Sequence, residues 1–546
     1  MGWQWPTFAV PVEQSIVTTP PNSQSVDSEH AQRPVDPPTL DAQTLDPSLE
    51  ASGGLATPVE ARHHAGPAAT VGIKTGRLAG KSMNAAIVML AWPVLCEALL
   101  NTTIGLVDTW LAAHISQSAA DGVGAAAYVL WFFGLITMAI GVGATALISR
   151  AMGSGREAVA RAALGQAMLL AVVGGVGSAL LLAAAAAPLA ALLSLRGEAA
   201  WDMKVYLWAY CVGVPFSTIL FAGTACARGA GDTLRPLKAM IVVNVVNLVL
   251  AWVLSRGLGL GVLGIGLGTA TAHLVGAAMV VRFHFMGLCG IELLWRRLKL
   301  HRTTMYRLLR LGLPNFLETF GMWLVNFMVV LMVGWMSAAA LAKNAATAVG
   351  DSGGLLGAHL WAIRIEALSF MPGFAMGIAA GALCGQYLGA GLPEHARRAA
   401  WRCAVVAMAI MGTMGVVLIT LGGPIVGLLS EQPAHRAITP TLLLITGITQ
   451  VPFALAIVFR SAMHGAGDVR AVMIMTWISQ WGLRLPLAYV FSGVEIPLPG
   501  GGVIGNPFPF DWGLPGLWIG LCAELSIRAA IFGWRFVGGR WLAARV

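Results

Sequence analysis

Charge is what this sequence has least of. Only 11% of its 546 residues are Asp, Glu, Lys or Arg, against 57% apolar residues and a mean hydropathy of +0.75. A soluble chain draws roughly a quarter of its residues from the charged set, so a string of soluble domains is excluded. Disorder, collagen and a nucleic-acid module fail as whole-chain readings on the same figures. The seven cysteines are scattered without a CxxC pair, which argues against a disulfide framework and a metal site. A Walker lysine loop and an HExxH pair are also lacking, so ATP use and zinc proteolysis have no support and no cofactor is expected.

Long apolar runs are abundant. A hydrocarbon core of about 30 Å demands runs near twenty residues, and such runs recur here between short polar breaks. Twelve candidate spans fall at about 85–111, 122–149, 162–187, 203–227, 237–255, 262–285, 308–336, 355–383, 399–428, 438–463, 472–492 and 514–534. The fold class is therefore all-α integral membrane. Two breaks, 337–354 and 493–513, are unusually long.

The net charge of +9 needs no nucleic acid, because of where it sits. Lys and Arg crowd alternate breaks: Arg150, Arg156 and Arg161; Arg228, Arg235 and Lys238; Arg296 to Arg310; Arg397, Arg398 and Arg402; Arg460 and Arg470; Arg535 and Arg540. That positive-inside bias predicts cytoplasmic termini and a multi-pass protein of the plasma (inner) membrane. Residues 1–80 are rich in Pro, Ser, Thr and Asp without a long apolar run, and read as a disordered cytoplasmic tail. Expected divisions are then 81–290 for a first lobe, 291–307 for a basic cytoplasmic linker and 308–546 for a second lobe.

The chain repeats itself. Gly153-Ser154-Gly155 recurs as Gly389-Ala390-Gly391, and Arg228-Gly229-Ala230-Gly231-Asp232 as His464-Gly465-Ala466-Gly467-Asp468, both 236 residues on. Leu192-Leu193-Ser194 recurs at 236 and Val214-Pro215-Phe216 at 237. Pro93 and Glu97 recur as Pro314 and Glu318, at 221. Several short motifs sharing one offset mark a duplication. Six spans per repeat insert both halves in one orientation, with a pseudo-twofold axis along the membrane normal and a cavity between the lobes. Alternating access suits that layout, in a monomer.

These motifs, with Val107-Asp108, Arg364-Ile365-Glu366-Ala367-Leu368, Gly385-Gln386-Tyr387-Leu388-Gly389 and Arg484-Leu485-Pro486, resemble the multidrug and toxic compound extrusion (MATE) family from about Ala85 onward. The resemblance implies twelve helices in two six-helix lobes, exporting small-molecule solutes against protons or sodium ions. It also implies that Asp108, Asn244, Asn247 and Thr271 match the family's N-lobe ion site. A carboxylate often stands four residues beyond the second asparagine; here that position is Ala251. A site with one carboxylate suits a proton better than a hard cation, which prefers several oxygens.

Charge inside a span costs about 2.5–3.5 kcal/mol on insertion scales, so each case needs a reason. Glu97, Asn101 and Asp108 lie within about 40° of one another on the first span, a polar stripe about 16 Å long. Asp108 reads as an ion site or as an interfacial residue, and Glu97 is open between the same roles. His273 reads as a packed helix histidine. In the second half, Glu318 and Glu366 are cavity acids or braces, whereas Arg364 and Arg484 read as braces. Two other functions remain open: a lipid-linked oligosaccharide flippase, and a non-transporting membrane scaffold.

Overall fold

The structure, a computed structural model, describes residues 73, 76–193, 195–345, 354–498, 502–508 and 510–544. The first half consists of α1 (Met83–Ala113), α2 (Gln117–Gly153), α3 (Glu157–Leu192), α4 (Gly197–Gly229), α5 (Leu234–Trp252) and α6 (Gly261–Phe285). The second consists of α7 (Arg302–Ala345), α8 (Leu355–Gly389), α9 (Pro393–Leu429), α10 (Pro433–Ile448), α11 (Gln450–Ala466), α12 (Val469–Ser479), α13 (Leu485–Ser492) and α14 (Gly513–Val537). Among the described residues, ten helices are long and apolar enough to cross a bilayer singly. The pair α10–α11 adds a crossing bent by 56°. Helices α12 and α13 are joined without a break by a π-turn at Gln480–Arg484. Each expected span is helical, the one at 438–463 with a break at Thr449.

Local chemistry explains the interruptions. Pro452 has no N–H to offer the carbonyl of Ile448, and the helix breaks at Thr449 between α10 and α11. The repeat offset slips from 236 to 237 in the same stretch, so the break also absorbs an added residue. The repeated glycine loops end helices by a left-handed residue. Gly155 and Gly391 have φ of 71° and 74°, and Gly231 and Gly467 have 88° and 91°. A side chain would strain these turns, which is why both copies use glycine.

Several expected boundaries move. Helix α7 begins at Arg302 and runs to Ala345, through the first half of the segment read as an outer break; residues 346–353 lie outside the described set. The 493–513 segment holds a two-stranded antiparallel hairpin, β1 (Ile496–Pro497) with β2 (Val503–Ile504). Residues 291–301, within the expected basic linker, are docked on the first half. Ile291 and Leu293 are buried, and Gln166 donates to the carbonyls of Arg297 and Lys299 at 3.1 and 2.9 Å. The expected tail, 1–80, lies largely outside the described residues, but its end does not. Leu78 is buried and Arg77 pairs with Asp232 at 3.2 Å, so residues 77 and 78 already pack on the first lobe.

The same helix pairings occur in both halves. Contacts α1–α5, α3–α4, α4–α6 and α5–α6 in the first answer to α7–α12, α9–α11, α11–α14 and α13–α14 in the second. The halves meet chiefly through α2 against α7 and α8, and through α1 against α8. Contact is closest at the end that bears the basic loops. There, a methyl group on Gly153 would collide with the carbonyl of Gln386, and one on Gly389 with that of Arg150. Gln386 Nε2 donates to Gly229 O at 3.0 Å across the same junction.

Candidate functional site

Asp108 is buried on α1, 2% exposed, at the focus of four helices. Tyr206 of α4 and Thr269 of α6 each place a hydroxyl 2.8 Å from Oδ2. Asn247 of α5 donates to Oδ1 at 3.4 Å and to the Thr269 hydroxyl at 2.9 Å. Tyr206, Asn247 and Thr269 are themselves buried. The Thr269 hydroxyl also lies 3.1 Å from its own helix carbonyl, Ile265 O, and its single proton serves one acceptor at a time. Every group touching this carboxylate is neutral.

The other acids within the spans, Glu97, Glu318 and Glu366 with Glu524 of α14, differ. Glu97 Oε1 meets Arg228 Nη1 at 2.8 Å. Glu318 is fully buried between Arg460 at 2.5 Å, His464 at 3.0 Å and the Thr476 hydroxyl at 3.0 Å. Glu524 takes Arg484 and Arg528, each at 3.2 Å, and a hydrogen bond from Ser479. Burying a charge without a counter-charge is expensive, and these three carboxylates have theirs. Glu366 accepts from Thr446 at 2.5 Å and has no ion pair among the described residues.

The structure gathers Asp108 and Asn247 but disperses the rest of the expected set. The Thr271 hydroxyl turns back to Leu267 O at 2.8 Å, and Thr269 stands at the carboxylate in its place. Asn244 is tied to Met240 O at 2.9 Å on its own helix. Asn101 is exposed and makes no side-chain hydrogen bond among the described residues. Glu97 shares the helix face with Asp108 yet belongs to a separate ion pair nearer the basic end. Arg484 reaches Asn326 at 3.2 Å as well as Glu524, a cross-brace. Arg364 is exposed and lies over the Trp361 ring at 5.7 Å. His273 packs edge-on against Tyr210 and Phe221.

Two members of the site, Tyr206 and Thr269, were not singled out from the sequence. Tyr206 and Tyr210, one turn apart in an apolar helix, carry no motif. Thr269 and His273 are one turn apart and share a face, which was the available hint. Residues two apart point to nearly opposite sides of a helix, so choosing Thr271 reversed the direction. Ala251, fully buried, supplies no second carboxylate. A methyl group on Gly268 would come within 2.6 Å of the Ala251 Cα, so α5 and α6 touch backbone to backbone there. Among the described residues no three His, Cys, Asp or Glu side chains converge as a metal site.

Comparison with known proteins agrees with this layout. The MatE family model matches residues 93–253 and 314–490, one block in each half. The probable multidrug resistance protein NorM of Thermotoga maritima is 27% identical over 469 residues, covering 83% of this chain and 92% of that protein. The multidrug resistance protein PmpM of Pseudomonas aeruginosa is 25% identical, covering 81% and 88%. Among solved structures, an outward-facing multidrug resistance MATE family transporter superposes with a TM-score of 0.75 at 20% identity, covering 84% of this chain and 97% of its own. A transporter of the MOP superfamily from Pyrococcus furiosus gives 0.74, also at 20% identity, covering 84% and 96%. The chain belongs to the multidrug and toxic compound extrusion family, as a membrane transporter and not an enzyme.

Proposed function

We propose that this transporter expels small organic solutes, amphipathic or cationic and drug-like, in exchange for protons carried on Asp108. One observation carries the reading: Asp108 is a buried carboxylate held by three neutral donors, with no basic partner among the described residues. A carboxylate so placed must be neutralised by something mobile, and a proton is the smallest candidate. A sodium ion is less well served, because Ala251 withholds the second anionic ligand and Asn247 turns its amide N–H toward Asp108. Multidrug-resistance relatives support the choice of solute. So does an aromatic cluster between the halves, where Phe132 lies 5.0 Å from Trp323 and Tyr128 5.9 Å from the same ring. The Tyr128 hydroxyl and the Trp323 indole N–H are buried there without a hydrogen-bond partner among the described residues, and aromatic faces attract cations.

Two complete halves in one chain suit a monomer, and the basic loops support a reading with both termini on the cytoplasmic side of the plasma (inner) membrane. The test is reconstitution into vesicles with an imposed pH gradient. The native protein should drive uphill export of a cationic dye, and Asp108→Asn, which keeps the size of the side chain but cannot release a proton, should not. Export driven by a sodium gradient at uniform pH would replace the proton with sodium in this scheme.

A further inference from the structure

A groove of about 520 Å³ lies between α1 and α9, at the end of the helices that carries the basic loops. Its floor and walls come from both halves of the chain: Asn84, Ile87 and Val88 from the first turns of α1, and Trp401, Arg402, Val405 and Val406 from α9. Among the described residues the two walls are joined by one polar contact, Arg402 Nη1 to Asn84 Oδ1 at 2.8 Å. The guanidinium has five N–H donors, so most remain available to another acceptor.

The chemistry of the groove changes along its length. At the basic end stand Arg402 and, one turn earlier on the same face of α9, the exposed Arg398. Trp401 sits beside them, 38% exposed, with its ring edge against Phe459 and Phe536. Further in, Val405 is 55% exposed and Val88 opposite is 60% exposed. The apolar surface continues on α1 to the exposed Trp92, one turn beyond Val88. A cationic head with an indole beside it, leading into an aliphatic slot, matches an amphiphile with an anionic head and a hydrocarbon tail. Arg and Trp are placed in this way at bilayer interfaces, and basic pockets between spans take anionic lipid headgroups.

We propose that this groove binds an anionic phospholipid of the bilayer, its phosphate on Arg402 and Arg398 and one acyl chain along Val405, Val406 and Val88. Because α1 belongs to one lobe and α9 to the other, the bound lipid bridges the lobe junction. It should therefore favour the arrangement in which the basic ends are pressed together, and weaken when the lobes part there. The inference does not depend on which ion is coupled or which solute is carried.

The test uses the full-length protein in detergent, with dioleoylphosphatidylglycerol or dioleoylphosphatidylcholine added in equal amounts. Two readouts are thermal unfolding and retention of lipid in native mass spectrometry. The native protein should gain at least twice the rise in unfolding midpoint with the anionic lipid, and should retain it preferentially. Arg402→Gln combined with Arg398→Gln should lose most of that preference. Val405→Trp, which fills the slot without touching the charges, should reduce retention of both lipids. Asn84→Ala removes the protein contact but leaves the guanidinium free, and should keep the preference; it separates lipid binding from bracing. Equal response to the two lipids in the native protein, or an undiminished preference in the double Gln variant, would overturn the proposal. A soluble glycerol phosphate that matched the lipid's effect would overturn the role of the aliphatic slot.

Discussion

His464 occupies in the second half the place that Arg228 holds in the first. Arg228 Nη1 is 2.8 Å from Glu97 Oε1, and His464 Nε2 is 3.0 Å from Glu318 Oε2. Each pair ties the first helix of a lobe, α1 or α7, to the end of the helix that runs into its Gly-Ala-Gly loop, α4 or α11. These first helices also touch the opposite lobe, so both ion pairs brace elements at the junction. The copies have diverged in how charge is balanced. Glu97 relies on one arginine, whereas Glu318 also has Arg460 and the Thr476 hydroxyl.

That difference predicts unequal costs. Arg228→Met strands Glu97 as a largely buried, unpaired carboxylate and should destabilise by about 3 kcal/mol. His464→Ala leaves Glu318 its arginine and hydroxyl and should cost about 1 kcal/mol. Thermal or denaturant unfolding in detergent measures both. The double variant Glu97→Gln with Arg228→Met should recover most of the first loss, since no charge is then left unpaired. Failure to recover would mean that Arg228 acts by packing.

Closure at the basic end makes a second prediction. The junction of α2 and α8 has no room for a side chain at Gly153, because the Gln386 carbonyl occupies the space. Overpacking of this kind costs about 1–3 kcal/mol, and about 1.4 kcal/mol is a tenfold shift in an equilibrium. Gly153→Val should therefore move the population toward states open at that end by about tenfold or more. A cysteine introduced at Ala146, fully buried near the junction, should become more reactive toward a water-soluble thiol reagent in this background. Unchanged reactivity would show that the lobes close without this crossing.

The architecture was legible in the sequence because the bilayer enforces it. Each crossing must satisfy its own backbone as a helix and present an apolar surface, so spans show as uninterrupted runs. The glycine loops were legible for a related reason: a left-handed turn leaves few alternatives to glycine at Gly155, Gly231, Gly391 and Gly467. The candidate site was only half visible. Asp108 and Asn247 stand out as polar groups in apolar helices, and the structure brings them together. Tyr206 and Thr269 are ordinary helix residues until the packing of α4 and α6 aims them at Asp108. Docking of 291–301 was hidden as well, because a basic stretch looks solvated until Gln166 is seen to hold its carbonyls.

Ala251 supports a third prediction. Ala251→Asp would restore a carboxylate four residues beyond Asn247, yet α5 and α6 touch backbone to backbone at Gly268. The added group would be forced into a packed interface, beside a second acid. Lower expression and a reduced unfolding midpoint are expected, without a gain of sodium-driven transport. A folded variant that exports solute on a sodium gradient would show that Ala251 alone sets the choice of ion.

The last prediction separates two threonines on one helix. Thr269 places its hydroxyl 2.8 Å from Asp108, whereas Thr271 bonds back to Leu267 and does not reach the carboxylate. Removing one hydrogen bond to a charged group typically costs about 1.5–3 kcal/mol, and an isosteric valine adds no other change of shape. Thr269→Val should therefore alter the pH profile of export and lower its rate by about tenfold or more. Tyr206→Phe should have a similar effect, since it removes the other short donor to Oδ2. Thr271→Val should leave both rate and profile near native, with all three variants folded by thermal unfolding. Vesicles assayed across a series of imposed pH gradients read the difference directly. If Thr271→Val is the damaging change and Thr269→Val the silent one, the coupling proton is not held by the ring of donors around Asp108. The search would then pass to Glu366, an α8 acid that accepts from Thr446 and makes no ion pair among the described residues.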